Sequence, residues 1–418
     1  MSDIRFPKLA PQGMKKIEWV REFMPVLARV EQRFIAEKPF SGMRITVSVH
    51  AEAKTAYLAM VLRSGGAEVF VTGCNPLSTK DEICAALASL GIETFGWHGA
   101  TAEEYEEHLI KALSCKPDIM IDDGGDLTGL LHGDYPHLAE NLIAGCEETT
   151  TGIHRLRARK RAGKLNFPMF LVNDAKSKTL FDNIHGTGQS VWDGIMYSTN
   201  NMVTGKTVVV AGYGHCGRGI ADRAKGLGAC VIVTEIDPHC CLSAAMDGHR
   251  VMKMADAAPL GDVFVTATGC SNVITREHFE RMKNNAILAN AGHFDCEISK
   301  PDLEALSERI AEERKPFIRG YYMKDGRVLN LMADGRLVNI VAGNGHPAEI
   351  MDLSFSIQAL TLEHAAKNKG KLNVDLYDVP AEIDREVATL KLEAMQLGMD
   401  KLTDEQAAYF YGTGDTQA

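Results

Sequence analysis

The sequence predicts an α/β protein built from two doubly wound parallel sheets, the second inserted into the first, with a short C-terminal tail. Three observations predict it. Apolar runs of four to six residues alternate with helical patterns between residues 44 and 121, the pattern of parallel strands joined by crossover helices. A second series begins with Val208-Val-Val-Ala-Gly212-Tyr-Gly214-His-Cys-Gly217 and continues through Val231-Ile-Val-Thr-Glu235. It reads as a buried strand, a tight glycine turn, a helix start and a strand that ends on an acid. More than 200 residues precede that turn, so another unit is built before it.

The elements follow in order. Residues 14–38 place Ile17, Val20, Phe23, Met24 and Leu27 at helical spacing, with Pro25 set to kink or restart the helix. A strand is expected over 44–49, a helix over 50–63, strands over 67–72 and 94–97, and helices over 80–90 and 101–114. The strand 118–121 runs into Asp122-Asp-Gly-Gly-Asp126. Another strand, 170–172, leads into a dense polar stretch over 173–190, and 205–207 enters the glycine-turn unit. Strands over 263–266, 286–289 and 337–340 continue it; Gly343-Asn-Gly-His-Pro347 breaks the pattern, and 350–366 is helical. The expected division is a first unit over 1–184, the inserted unit over 185–342, a return over 343–380, and a charged tail of helix and loop over 381–418, placed at a subunit interface.

The glycine turn carries chemistry. Gly212 permits the sharp turn, Gly214 lets the backbone approach a pyrophosphate, and Gly217 lets the helix pack close to the strand. The helix N-terminus offers free N–H groups to phosphate. Glu235 lies 18 residues after Gly217, near the spacing at which an acid holds ribose hydroxyls. A carboxylate there favours NAD over NADP, whose 2′-phosphate would meet a like charge. This is a Rossmann unit for NAD.

Bulk properties narrow the classes. Net charge is −10, which argues against a nucleic-acid or anionic-membrane surface. The N-terminus lacks a signal-peptide core and no apolar run approaches a membrane span. The ten cysteines include no CxxC pair, so they read as reduced thiols, mostly small buried hydrophobes, in a cytoplasmic protein.

Polar clusters mark strand ends, including His50 and the loop at Asn75. Asp122-Asp123-Gly-Gly-Asp126 reads as a metal site, a solvated acidic turn or a base in a cleft; with no histidine at suitable local spacing, no metal is assigned. Glu147-Glu148-Thr149-Thr150-Thr151 offers acceptors and hydroxyls for a sugar, or a helix N-cap. Lys178 and Asp182 share a face if helical, as a site or a surface ion pair. His293 and His346 sit at glycine turns and read equally as catalytic or structural.

Together these residues resemble the S-adenosylhomocysteine hydrolase family. The matching motifs are Asp-Asp-Gly-Gly-Asp-Leu-Thr at 122–128, Glu-Glu-Thr-Thr-Thr-Gly at 147–152, Phe-Asp-Asn at 181–183, Gly-Tyr-Gly at 212–214, Thr-Glu-Ile-Asp-Pro at 234–238 and Gly-His-Phe-Asp at 292–295. The likeness spans nearly the whole chain and weakens after about residue 385. It implies a reversible hydrolysis in the methylation cycle, with tightly held NAD that is not consumed. The ribose 3′-hydroxyl is oxidised, a base removes the C4′ proton, homocysteine leaves C5′, water adds, and the hydride returns.

The resemblance also implies roles. Asp123 matches the C4′ base or its partner. Lys178 and Asp182 match the pair at the 3′-hydroxyl; a lysine needs a lowered pKa to accept a proton there, and burial is the means available. Glu148 matches the carboxylate that holds the ribose. His50 and His293 match histidines on the substrate and cofactor sides, His50 serving the leaving group or water. Thr149, Thr150, Thr151, Asn183 and Asn339 match contacts to the nicotinamide half of the cofactor, and Ala291 and Gly292 accompany His293 on that side. His346 matches a gate between the two units. A homotetramer or homodimer is implied.

Departures concentrate on the base. The family's better-known form reads adenine with a His-x-Thr-x-Glu-Thr segment; here it is His50-Ala-Glu52-Ala-Lys54-Thr55. Lysine only donates, so it suits the 6-oxo group of hypoxanthine, whereas Glu52 can accept from the adenine amine. Asn344 replaces a methionine near the base. The expected substrate is S-adenosyl-L-homocysteine, with S-inosyl-L-homocysteine as the alternative. A net oxidoreductase and a silent NAD- or nucleoside-binding relative are the further readings. Thr187 replaces a cysteine near the nicotinamide, with little change in mechanism expected. The tail, with Tyr409 and Tyr411 and no lysine after Lys401, departs from one that reaches a neighbour's NAD.

Overall fold

A computed structural model describes residues 2–412. Strands β1 (Arg44–Ser48), β2 (Glu68–Thr72), β3 (Glu93–Phe95), β4 (Ile119–Asp122), β5 (Ala144–Glu147) and β6 (Met169–Leu171) begin one sheet. A second sheet holds β7 (Thr207–Ala211), β8 (Cys230–Thr234), β9 (Arg250–Val251), β10 (Val263–Thr266), β11 (Ile287–Asn290), β12 (Ser307–Lys315), β13 (Ile318–Met323) and β14 (Val328–Met332). The chain then returns to the first sheet as β15 (Leu376–Tyr377).

The first sheet runs β15-β6-β5-β4-β1-β2-β3, and its pairings are all parallel. Strand order reverses between β1 and β4, the crevice where doubly wound sheets bind ligands. The second sheet runs β12-β13-β14-β11-β10-β7-β8-β9 and reverses between β7 and β10. Central strands such as Val208-Val209-Val210 are buried on both faces, which is why they read as unbroken apolar runs. The first core packs the helices Ala10–Glu22, Pro25–Glu37, Ala53–Ser64 and Ala348–Lys367 on its sheet.

Several expectations are corrected in detail. Pro25 restarts the helix outright, giving Ala10–Glu22 and Pro25–Glu37. The helix expected from residue 50 starts at Ala53, behind the Glu52 cap. The strand expected over 337–340 is instead a one-residue bridge, Leu337 to Asn290, followed by the short helix Val338–Val341. A four-residue apolar run does not separate the two states. Packing decides: a Cβ on Gly194 would lie 2.8 Å from the Val338 carbonyl oxygen. Strand β5 gave no signal because Ala-Gly-Cys-Glu lacks β-branched residues; Gly145 is small because a Cβ there would lie 2.4 Å from Met169 Sδ. Strands β12 and β13 add an antiparallel edge to the second sheet, so that sheet is not wholly parallel. The tail forms the helices Ala381–Ala394 and Asp404–Tyr411; of the unit expected over 381–418, residues 413–418 lie outside the described residues. No helix among the described residues is long and apolar enough to cross a membrane.

Candidate active site

The glycine turn after β7 has the geometry its spacing predicts. Gly212 takes φ +94°, in the left-handed region. A Cβ on Gly217 would lie 1.9 Å from the Gly212 oxygen, whereas nothing lies within 4 Å of one on Gly214, which leaves open space for a phosphate. Glu235 Oε2 accepts from the Tyr213 N–H at 2.6 Å, and Oε1 accepts from the Ile236 N–H at 2.7 Å. The acid is thereby fixed at the mouth of the turn, where ribose hydroxyls would reach it. These residues fit NAD.

The Asp122–Asp126 turn separates into three functions. Asp122 is buried and accepts from the Leu127 and Thr128 N–H groups at 3.3 and 2.7 Å, so it holds the start of the helix Asp126–His132. Burial pushes its carboxyl up to about 6. Asp126 pairs with Arg155 at 3.0 Å and accepts from the Tyr105 hydroxyl at 3.0 Å. Asp123 faces the cleft. Its Oδ2 lies 3.7 Å from His50 Nε2 and its Oδ1 lies 3.8 Å from His293 Nδ1. His50 follows β1 and His293 follows β11, so the carboxylate sits between imidazoles from both sheets. The contact is close because Gly124 has no side chain: a Cβ there would lie 2.2 Å from His293 Nε2. Burial pulls the His50 imidazolium down to about 4, against the opposing charge of Asp123, so this ring is neutral at neutral pH.

A second network lies on the same cavity. Lys178 Nζ donates to Asp182 Oδ1 at 3.0 Å and to Asn183 Oδ1 at 2.8 Å, and lies 3.7 Å from Glu148 Oε1. The Asn183 amide donates in turn to Asn173 Oδ1 at 3.0 Å. Lys178 lies within the short helix Lys176–Thr179 and Asp182 opens a wider turn over Asp182–Gly186, so the i, i+4 pair meets, buried rather than as a surface ion pair. The expected lowering of the lysine pKa is not found. Burial pulls the ammonium down, but Asp182 and Glu148 outweigh it and hold it above the ordinary lysine value. The same pairing keeps Asp182 well below the carboxylate range although burial alone would raise it. Glu148 goes the other way: burial pushes it up to about 8 despite Lys178.

The helix Ala348–Lys367 supplies partners that the sequence reading missed. Ser354 Oγ donates to Asp182 Oδ2 at 2.6 Å, and Gln358 Nε2 donates to Glu148 Oε2 at 2.6 Å. Their signal was available, since Asp352, Ser354, Ser356, Gln358, Thr361 and Glu363 are polar yet buried on one helix. Cys74 and Ser78 were also missed as site residues: Ser78 Oγ lies 2.6 Å and Cys74 Sγ 3.4 Å from His50 Nδ1. No local spacing connects them to His50.

At the cofactor side, Asn339 Nδ2 donates to Ser190 Oγ at 3.2 Å, while its buried Oδ1 has no protein partner and lines the cavity. That orphaned acceptor fits a carboxamide. Ala291 lines the cavity as well; Gly292 lies behind it, where a Cβ would collide with Glu297 Oε1 at 1.9 Å. Of the three threonines only Thr149 lines the cavity; Thr150 and Thr151 begin the helix Thr150–Arg161, with Thr150 Oγ1 accepting from Asn173. The acids of that run precede the helix rather than entering its first turn. His346 Nδ1 lies 3.0 Å from Asp182 Oδ1 and its Nε2 3.2 Å from Thr187 Oγ1, bridging the two halves.

Elsewhere on the cavity wall, Lys54 Nζ pairs with Glu52 Oε2 at 2.7 Å and donates to the Asn344 backbone oxygen at 3.0 Å. Thr55 Oγ1 is buried without a partner. Asn344 contributes its carbonyl; its residue is exposed and does not line the cavity, which corrects the expectation of a polar side chain near the base.

Comparison with known proteins identifies the family. Residues 2–144 match the S-adenosyl-L-homocysteine hydrolase family and residues 183–345 its NAD-binding domain. An adenosylhomocysteinase of Pyrococcus abyssi is 54% identical over 401 residues, covering 96% of this chain and 95% of its own. S-inosyl-L-homocysteine hydrolases of Methanopyrus kandleri and Methanocaldococcus jannaschii are 52% and 53% identical, covering 97% and 98% of this chain and 96% and 98% of theirs. The chain, with a glycine turn that fits NAD and a buried polar cavity beside it, belongs to the S-adenosyl-L-homocysteine hydrolase family, NAD-dependent enzymes that hydrolyse a nucleoside thioether.

Proposed function

We propose that the substrate is S-adenosyl-L-homocysteine, hydrolysed reversibly to adenosine and homocysteine. The observation that carries the base assignment is the Glu52–Lys54 pair. Lys54 already has two acceptors, Glu52 Oε2 and the Asn344 carbonyl. Glu52 Oε1 has no hydrogen-bond donor among the described residues and suits the adenine 6-amino group. The alternative, an inosyl substrate, draws on the third N–H of Lys54, which suits a 6-oxo group.

Bound NAD supplies the hydride acceptor and donor at C3′. Lys178, held by Asp182 and Asn183, exchanges the O3′ proton. Its charged state in the free chain means that Lys178 gives up a proton before it accepts the one from O3′. Glu148 orients the ribose. Asp123 removes the C4′ proton, with His293 steadying it from the cofactor side. His50 takes up the C4′ proton from Asp123 and delivers it to the departing sulfur, and the neutral ring that results accepts a proton from incoming water. The second sheet, within 185–342, carries the cofactor; 1–184 and 343–380 carry the substrate.

The tail at 381–418 is assigned to self-association as a homodimer or homotetramer. Met395, Leu397, Met399, Leu402, Tyr409 and Phe410 are exposed there, and light scattering on a chain truncated after residue 394 tests the assignment. A cytoplasmic location is supported by ten free cysteines. The deciding experiment is thiol release from S-adenosyl- and S-inosyl-homocysteine side by side. Faster release from the adenosyl compound is expected. A strong inosyl preference reverses the base assignment, and stoichiometric accumulation of reduced cofactor would make the chain a net oxidoreductase.

A further inference from the structure

The carboxyl ends of three neighbouring strands bring together a thiol, an imidazole and a carboxylate. Cys74 follows β2, His50 follows β1 and Asp123 follows β4, and these strands are adjacent in the order β4-β1-β2. All three residues are buried, and one ligand atom from each lies within 4.8 Å of the others. Asp123 Oδ2 is the shared vertex, 3.5 Å from Cys74 Sγ and 3.7 Å from His50 Nε2; Cys74 Sγ lies 3.4 Å from the same imidazole at Nδ1. Tetrahedral zinc, with bonds of about 2.3 Å to sulfur and about 2.0–2.1 Å to nitrogen and oxygen, sets ligand separations of roughly 3.3–3.6 Å. The two edges that meet at Asp123 Oδ2 are near those values, and the trio as a whole falls within 4.8 Å.

The surroundings suit a metal. Ser78 Oγ holds His50 Nδ1 at 2.6 Å, which leaves the Nε2 lone pair directed to the Asp123 side, as an outer partner orients a metal-binding histidine. The mixed sulfur, nitrogen and oxygen set favours a soft or borderline cation over magnesium or calcium. Sequence spacing hid the site because its ligands come from three separate strand ends.

We propose that Cys74, His50 and Asp123 form an inhibitory site for a soft divalent cation such as Zn2+, with the fourth position open to the substrate cavity. Binding exchanges the Cys74 thiol proton for the metal, releasing one proton per ion and changing no oxidation state. Inhibition rests on the roles proposed above for Asp123 and His50, whose lone pairs the ion occupies; binding itself rests on the geometry alone.

The test uses the NAD-loaded enzyme, with nucleoside formation read by chromatography so that zinc–thiol chemistry does not interfere. Zn2+ inhibits the wild type. The Cys74→Ser variant needs more than about tenfold higher Zn2+ for the same fractional loss, since even an outer-shell partner is worth about 10–100-fold in metal affinity. A Cys240→Ser/Cys241→Ser variant keeps wild-type sensitivity. Equal sensitivity of Cys74→Ser and wild type overturns the site. Co2+ provides a reading independent of activity and of that variant's folding. Wild-type enzyme is expected to give tetrahedral visible bands with thiolate charge transfer at one equivalent, and six-coordinate spectra without thiolate bands overturn the site. Tetrahedral thiolate spectra without inhibition would keep the site and sink the assigned roles of Asp123 and His50.

Discussion

After β4 the chain presents Asp123 between two imidazoles; after β7 it presents Gly212 and Gly217, where a Cβ would strike backbone, and Gly214, whose bare side is open. Both are strand ends at the reversal of a doubly wound sheet, yet one acts through charged atoms and the other through bare backbone. The difference follows from what each faces. Phosphate is satisfied by N–H groups that any residue owns, provided nothing blocks the approach. Proton transfer at carbon needs a particular acid or base at a particular atom. One end therefore tolerates no added atoms, and the other no change of chemical type.

Four substitutions press on this contrast. Asp123→Asn keeps the shape and removes the base; hydrolysis should fall by about 10²–10⁴-fold while NAD content, measured on the denatured enzyme, stays at the wild-type level. Loss of NAD in that variant would blur the division between the two ends.

His50→Gln probes buried charge. The folded-state value, about 4, lies below the ordinary 6.5. Above 6.5 both folded and unfolded states are neutral and nothing is lost. As pH falls from 6.5 to 4 only the unfolded state gains the proton, so stability declines, by up to about 3 kcal/mol at about 1.4 kcal/mol per unit. The variant should lose less thermal stability than wild type over that window in calorimetry; parallel losses would contradict it.

Gly217→Ala inserts one carbon against the Gly212 oxygen. Crowding of this kind costs about 1–3 kcal/mol, and the lowered melting temperature should be accompanied by loss of bound NAD, with Asp123 chemistry impaired only through that loss. The smallest effect is expected from Glu235→Gln, about tenfold weaker NAD binding, or ~1.4 kcal/mol, with improved tolerance of NADP in equilibrium titrations.

The same contrast explains what the sequence disclosed. Gly212, Gly214, Gly217 and Glu235 act within one strand–turn–helix–strand unit, so their spacing is itself the signal. The ribose site is different. His50, Asp123, Glu148 and Lys178 come from four separate strand ends, and only the family resemblance joined them before the fold did. Where long-range packing decides, the reading slipped: residues 338–341 are helical where Gly194 makes room for them, Lys178 is held charged by carboxylates contributed by folding, and Asn344 turns its carbonyl rather than its amide to Lys54. Ser354 and Gln358 are two of six buried polar residues on one helix, and only the fold shows which of the six meet the site.

That helix, Ala348–Lys367, places Ser354 on Asp182 and Gln358 on Glu148. The two contacts are four residues apart, about 6 Å along the axis at about 1.5 Å per residue. The interval between these two cavity carboxylates is thus set by the rise of a helix, a length that thermal motion scarcely alters.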